Sequence, residues 1–535
     1  MDDKKIAVII HATDENIFKE TVKNFQTLQV PENFSVEFVQ AQGEKKFQAY
    51  NVAMKKSDAK YKIYLDEKAV ILQKNILSKV IETFQADEKI GVIGLSGAIQ
   101  LSTHGICLQS AKRVGKTFFG AQKVFSDFAD DAKNFVEVEA VDNFFLATQY
   151  DIDWREDLFA DNYFGFAAQC LEFKRENLKT VALLDNAPQV WFDATNFSLD
   201  EQAQKIFLEE YKNIFPLVTV IIPSFNRPKF FQEALESVLN QTYRNFEIVI
   251  SDDSTNDDTE NLMQPYLEKY SCIKYFRNKG FTSHDNWNFL RSYNNPDAEF
   301  VNWLMDDDLF LPRKFERMIE VYRNNPEVAL VTSSKNGIDK DGNILGDSSN
   351  LFPQDIVIEG NKAARLLFDW GNYIGEPTTV LIKKEFLRDN DLCFNDDETG
   401  FFSLVDVSTW LQLLSKGNFY RLKEILSAQR VHSGQGTNWS TAGILFGINY
   451  VKLFKNALDR KLFFTTDAEK YSATLWLLKY CLPSLTNADA EKQKLPEYIT
   501  LKKTFVALSQ SLLNNYKFEM PEIKYSETDS VNKMH

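Results

Sequence analysis

Twice along this chain of 535 residues the same alternation begins. An unbroken apolar run is followed by helical periodicity and then by another apolar run. Ile6-Ala7-Val8-Ile9-Ile10 opens the first series. Ser35-Val36-Glu37-Phe38-Val39, Tyr61-Lys62-Ile63-Tyr64-Leu65 and Gly91-Val92-Ile93-Gly94-Leu95 continue it, with helical patterns such as Asn75 to Gln85 between them. The series restarts after Pro216 with Val218-Thr219-Val220-Ile221-Ile222, a helical pattern over Lys229 to Asn240, and Phe246-Glu247-Ile248-Val249-Ile250. Short runs apolar on both faces are strands that must be covered on both sides. Alternation with helices therefore implies a mostly parallel α/β sheet. The repetition reads as a divergent tandem repeat of one fold.

The second series carries its polar residues where its strands end. Phe300-Val301-Asn302-Trp303-Leu304 reads as a buried strand that runs into Met305-Asp306-Asp307-Asp308. Three carboxylates at the end of an apolar strand are costly unless something cationic sits beside them. A hard divalent ion such as Mg²⁺ or Mn²⁺ answers that need, because it prefers oxygen ligands and often bridges to substrate phosphates. An acidic turn capping the chain before Pro312 is the plain alternative. Three further clusters fall at predicted strand ends: Pro223 to Arg227, Ser251 to Ser254, and Arg430-Val431-His432. Ligands of open α/β sheets bind outside the carboxyl ends of the strands, so convergence of the four clusters predicts one site.

The net charge of −15 disfavours nucleic acid as a partner, since phosphate neutralisation needs a basic surface. No polybasic cluster suggests an anionic membrane surface. Cys107, Cys170, Cys272, Cys393 and Cys481 are odd in number and widely spaced, which fits neither a metal knuckle nor a disulfide framework. Met1-Asp2-Asp3-Lys4-Lys5 leads into a strand rather than a signal-peptide core. No apolar run approaches the roughly 20 residues of a membrane span. A cytoplasmic protein is expected.

With these residues in view, residues 215 to 440 resemble family 2 glycosyltransferases. Val220 to Arg227 is similar to the family's opening strand, Ser237 to Tyr243 to its first helix, and Ile250 to Thr259 to its nucleoside-binding loop. Asn302 to Pro312 resembles the metal-binding acidic motif. Gly375 to Leu381 and Val405 to Leu411 resemble the segments before and around the catalytic carboxylate, and Arg430-Val431-His432 closes the series. The resemblance implies a GT-A fold, a Rossmann-like nucleotide-diphospho-sugar transferase architecture. It further implies nucleoside contacts from Pro223, Phe225 and Asp253. Asp306 would lie near ribose or diphosphate, with Arg430 also on the donor. Asp307, Asp308 and His432 would face the metal, and Asp406 would be the general base for inverting transfer. Two departures stand out: Met305 replaces the usual first Asp of the motif, and Val405 replaces a Glu often found before the catalytic Asp. Trp410, one helical turn beyond Asp406, reads equally as core. His284 reads as a surface residue.

Residues 1 to 200 resemble a GT-A-type domain more distantly. Phe47 to Met54 looks like one of its helices, and Tyr64-Leu65-Asp66-Glu67-Lys68 stands where the metal motif would be. Lys68 would put a cation at the metal site, and the closing segment Trp191-Phe192-Asp193 lacks a His. This points to a domain without its own transfer activity, the alternative being a second, metal-independent site. Residues 201 to 214 read as a helical linker. Residues 441 to 535 read as a helical region broken by Pro483 and Pro496, with a polar tail. Phe446, Tyr450 and Phe454 form a helix stripe more typical of core than of a sugar platform.

The expectation is therefore two tandem GT-A domains and a helical C-terminal region. The chain would be a metal-dependent inverting transferase, with Mn²⁺ or Mg²⁺ and a nucleotide-sugar donor. A glycan or glycoprotein hydroxyl is the expected acceptor, in bacterial surface polysaccharide or glycoprotein synthesis, and a homo-oligomer is compatible with it. A non-enzymatic scaffold or carbohydrate-binding protein is the alternative from another class, and a nucleotidyltransferase is a further enzyme alternative.

Overall fold

The computed structural model describes residues 1–12, 14–107, 110, 112–120, 124–127, 134–192, 200–347, 352–387, 404–432 and 441–513. It divides into two compact units, Met1–Phe215 and Pro216–His535.

In the first unit the strand Asp2–His11 lies between Ser35–Ala41 and Ala59–Asp66, parallel to both. Phe145–Thr148 then runs antiparallel to Ala59–Asp66 and to Ile90–Gly94, and Lys179–Leu183 is parallel to Ile90–Gly94. In the second unit Leu217–Ser224 lies between Phe246–Asp252 and Ala298–Trp303, again parallel to both. Val380–Lys383 runs antiparallel to Ala298–Trp303 and to Val328–Ile338, and Asn418–Arg430 is parallel to Val328–Ile338. The two six-strand paths are the same in order and in sense, so the repeat read from apolar runs is a repeat of topology. The second unit adds Ile273–Arg277 at the edge beside Phe246–Asp252. In each unit the chain reverses direction across the sheet at its first strand, which opens a crevice at the carboxyl ends of the strands.

Local chemistry explains the elements that border this crevice. The helix Pro228–Leu239 starts with proline at its first turn, where no N–H is needed. It buries Phe231, Ala234, Leu235 and Val238, spaced three and four apart. Asn226, just before it, takes a left-handed conformation (φ 53°), which asparagine tolerates. Its side chain accepts from the Thr255 backbone N–H at 2.9 Å and so ties the first loop to the second.

The C-terminal helices Ala442–Asp459, Asp467–Thr486 and Pro496–Leu513 share one core with the helix Val405–Leu414. Thr466 and Glu469 form a reciprocal capping box at the start of the second of these. Pro483 does not break the region as expected: it lies inside Asp467–Thr486, and only Pro496 starts a new helix. With three residues left before the end, the proline costs a hydrogen bond in a turn that is already terminating. The aromatic stripe divides. Tyr450 and Phe454 are buried core, whereas Phe446 reaches the crevice wall. Among the described residues no helix is long and apolar enough to cross a membrane.

Lys314 is the costly residue of this fold. Its side chain is fully buried with no carboxylate partner among the described residues, its Nζ meets the Ser427 hydroxyl at 3.3 Å, the Met318 sulfur at 3.5 Å and the Phe310 ring at 5.1 Å from its centroid, and burial drives its pKa well down. The unfolded chain thus binds a proton that the folded one sheds, so stability rises with pH up to the free lysine value of about 10.4. Lys314→Met is expected to raise stability at neutral pH, on the order of 1 kcal/mol, and to flatten that slope. Chemical denaturation of both proteins between neutral and alkaline pH checks it.

Candidate active site

A cleft of about 1120 Å³ opens at the strand ends of the second unit. That is large beside the roughly 300–1,000 Å³ of an ordinary ligand site, and leaves space for more than one small ligand. Pro223, Phe225, Asp253, Asp306, Asp307, Asp308 and Asp406 all line it.

At one end the second strand delivers Asp252 and Asp253, and the structure separates their duties. Asp252 is fully buried and accepts from the Ser254 N–H at 2.9 Å and the Tyr275 hydroxyl at 2.6 Å, so the turn-forming role is its own. Asp253 faces the cleft. One of its oxygens accepts from Asn286 at 2.7 Å, and burial raises its pKa to about 6. Asn286 is itself held by the Ser251 hydroxyl and donates to the Ser251 carbonyl at 3.2 Å. Phe225 presents a ring that is 45% exposed. A carboxylate beside an open aromatic face suits a planar base bearing N–H groups.

In the middle lies the acidic run. Asp306 accepts from the Phe225 backbone N–H at 3.1 Å, and Arg227 Nη1 bridges Asp306 Oδ1 at 3.1 Å and Asp307 Oδ2 at 3.0 Å. His432 Nε2 stands 2.9 Å from that same Asp307 Oδ2. Burial first, offset in part by Arg227 and reinforced by the charge of Asp307, raises Asp306 to about 7. Burial and the charge of Asp307 also push Asp308 upward. The cation that the three carboxylates demand is thus supplied in part by an arginine that the sequence argument quoted but gave no role.

Two residues assigned from the sequence are engaged by the surrounding fold. Both oxygens of Asp308 are taken, by the Thr378 hydroxyl at 2.6 Å and the Arg430 backbone N–H at 2.9 Å. The Arg430 guanidinium is fully buried over the Phe230 ring and donates to the Asp307 carbonyl at 2.8 Å and to Glu233 at 2.5 Å. Arg430 does not line the cleft; it fastens the end of its strand beneath the acidic run. Alternation along an extended chain put Arg430 and His432 on one side, but which way that side faces depends on packing. His284, read as surface, lines the cleft instead.

Asp307 and His432 fit a divalent ion. Octahedral ligands at roughly 2.0–2.1 Å from a centre lie about 3 Å from one another, the spacing that Oδ2 and Nε2 have. Among the described residues no group of three or more His, Cys, Asp or Glu side chains is arranged around an ion. The rest of a shell would come from phosphate and water, as is usual for Mg²⁺.

At the far end Asp406 sits in the first turn of Val405–Leu414, where helix N–H groups favour a carboxylate. It accepts from the Val407 N–H at 2.8 Å and from Asn372 at 2.7 Å, yet burial, with Glu376 adding its charge, raises it to about 6. Trp410 is almost fully buried, donates to the Gly375 carbonyl at 3.1 Å, and also touches the cleft. Gly375 has φ 116°, and a Cβ there would meet Thr379 Oγ1 at 2.5 Å, so glycine is required where this loop turns. Ala442, Leu445 and Phe446 of the C-terminal helices complete the apolar wall on this side.

The first unit answers its acidic strand end differently. Asp66 forms an ion pair with Lys46 at 2.8 Å, whereas Lys68, the expected cation, is exposed and donates only its backbone N–H at 3.0 Å. Lys46 opens the helix Lys46–Lys56, and that helix, not the strand-end turn, aims the charge. Asp193 of the closing segment lies outside the described residues.

Parallel strands that switch sides at the first strand and an acidic end to the strand beside it define a GT-A architecture, present here twice, and the second unit adds the carboxylate of Asp406 at a later helix start. Residues 219–390 match glycosyl transferase family 2, and residues 7–211 match the family described as glycosyltransferase like. The chain therefore carries a family 2 glycosyltransferase domain behind a glycosyltransferase-like one. It is 25% identical over 350 residues to an uncharacterized glycosyltransferase of Rickettsia bellii, covering 61% of this chain and 48% of that protein. It is 28% identical over 205 residues to the GalNAc(5)-diNAcBac-PP-undecaprenol beta-1,3-glucosyltransferase of Campylobacter jejuni, covering 38% and 62%. The chain thus spans about half to two thirds of the length of these relatives. A crystal structure of Staphylococcus aureus TarS 1–349 with UDP aligns with TM-score 0.42 and 16% identity, covering 56% of this chain and 82% of that one.

Proposed function

We propose that this chain is a divalent-metal-dependent, inverting glycosyltransferase. It would move a sugar from a nucleotide-diphosphate donor to a hydroxyl of a glycan or glycoprotein acceptor, in bacterial surface polysaccharide or glycoprotein synthesis. The observation that carries this reading is that one cleft is lined both by Asp307, whose Oδ2 meets His432 Nε2 behind the lining, and by the raised carboxylate of Asp406. Its Campylobacter relative, by its name a glucosyltransferase acting on an undecaprenol-linked glycan, supports the pathway class.

Pro223, Phe225 and Asp253 hold the nucleoside, with Asn286 fixing one oxygen of Asp253 so that the other can accept from the base. Asp307 and His432 would hold the ion, with Asp306 beside the ribose and diphosphate. The ion, when bound, adds positive charge against the leaving diphosphate. Asp406 accepts the acceptor's hydroxyl proton while that oxygen attacks the anomeric carbon from the face opposite the diphosphate. The bond from the anomeric carbon to the diphosphate oxygen breaks, its electron pair leaves on the nucleoside diphosphate, and the configuration inverts. Protonated Asp406 cannot accept, so kcat/KM is expected to rise with pH through about 6 and level off above it, as initial rates across pH would read.

Residues 215–440 form the catalytic domain in this reading, and the helices after 441 wall its acceptor end. The first unit is assigned no transfer of its own, because Lys46 already neutralises Asp66. The direct test is a donor screen with UDP-, dTDP- and GDP-sugars in Mn²⁺, Mg²⁺ or chelator. Turnover of one donor that needs metal supports the reading. Absence of both turnover and calorimetric binding for every donor overturns it.

A further inference from the structure

The oxygen that would bind the ion is already shared. Asp307 Oδ2 is 2.9 Å from His432 Nε2 and 3.0 Å from Arg227 Nη1, and the same Nη1 is 3.1 Å from Asp306 Oδ1. Asp306 and Asp307 are almost wholly buried, so this guanidinium is the charge that makes the acidic run tolerable. A divalent ion on Asp307 Oδ2 and a guanidinium on that oxygen would be two cations within a few ångströms in a poorly screened site, where they repel. Both cannot stay.

Arg227 has somewhere to go. Its side chain is 31% exposed and lines the same cleft, at the start of Pro228–Leu239, where the chain turns through Asn226. A planar guanidinium pairs with phosphate oxygens through two parallel hydrogen bonds, and a diphosphate coordinated to an ion at Asp307 would present such oxygens nearby.

We propose that Arg227 is a cationic latch on the acidic run, which the entering ion displaces and which then binds the donor's diphosphate. The inference rests on the metal reading above. Arg227 holds Asp306 and Asp307 together in the resting protein, and in the loaded one it faces the group that accumulates charge as the glycosidic bond breaks. It is thereby a substrate-contacting residue as well as a competitor of the ion, and these two roles give opposite signs in one variant.

The test measures Mn²⁺ binding alone, by electron paramagnetic resonance, and inorganic pyrophosphate binding at saturating Mn²⁺, by calorimetry. Wild type, Arg227→Gln and Arg227→Lys are compared, with thermal melts to establish folding. Arg227→Gln should bind Mn²⁺ about 10-fold more tightly and pyrophosphate about 10-fold more weakly, each shift equivalent to ~1.4 kcal/mol. Arg227→Lys, which keeps the charge and loses the fork, should leave Mn²⁺ affinity near wild type and still weaken pyrophosphate. Mn²⁺ binding by the variant but not by wild type also supports the latch. A folded Arg227→Gln that binds Mn²⁺ no more tightly than a binding-competent wild type overturns the latch and leaves the metal reading intact. Mn²⁺ binding by neither protein overturns both.

Discussion

Asp406→Asn is expected to lower kcat by about 10²–10⁴-fold, the usual contribution of a positioned general base, with donor affinity unchanged. The amide keeps the shape of the carboxylate, but its one oxygen can accept from only one of the two donors that Asp406 serves with separate oxygens, Asn372 at 2.7 Å and the Val407 N–H at 2.8 Å. It cannot take a proton from the acceptor. Burial holds Asp406 near 6, so at neutral pH the wild type carries a charge that its surroundings disfavour. Its contribution to stability therefore falls as pH rises from the unfolded carboxylate value toward 6, and the neutral amide escapes that loss. Relief of the buried charge offsets the lost hydrogen bond, so the variant should melt close to wild type at pH 7, which separates a chemical defect from a folding one. Steady-state rates, donor titration and thermal melts of the same preparation decide it. A well-folded variant with the wild-type rate would remove the base from this residue.

Asp307→Asn is expected to abolish Mn²⁺ binding and to cost at least about 10²-fold in transfer, because Lewis-acid stabilisation of a leaving group is worth several kcal/mol. Asp307 is singled out by geometry: its Oδ2 is the oxygen His432 approaches. Asp308→Asn provides the contrast. Both oxygens of Asp308 already serve Thr378 and the Arg430 backbone, so Mn²⁺ affinity should survive that change. Paramagnetic titration of the two variants reads the difference. Loss of Mn²⁺ binding in Asp308→Asn but not in Asp307→Asn would exchange their roles.

Much of the site was legible because each strand end announces itself. An apolar run long enough to be buried on both faces, stopped by Pro223, Asp252 or Asp306, marks where a parallel sheet must meet solvent, and ligands gather there. Asp253 and Asp307 were assigned from such positions together with a family resemblance, Asp406 from the resemblance alone, and all three line one cleft. Arg227 lay inside a quoted segment without a role, and Asn286 was not singled out at all. Their signal is a partner far along the chain: Asp253 is 33 residues from Asn286, and Asp307 is 80 residues from Arg227. A lone Asn or Arg near a turn says nothing of that partner.

Sequence alone determined the α/β class, the repeat and the carboxyl-end location of the cleft, because periodicity and strand length are properties of neighbouring residues. The tertiary structure alone decided which cation meets which carboxylate. The ammonium of Lys46 rather than that of Lys68 pairs with the Asp66 carboxylate, and Arg227 rather than Arg430 pairs with the Asp307 carboxylate, while Arg430 turns inward to Glu233, 197 residues away in the chain. Ionic partnership depends on how helices close over the sheet and on which side chains that closure strips of water. Neither is written in the spacing of residues along the chain.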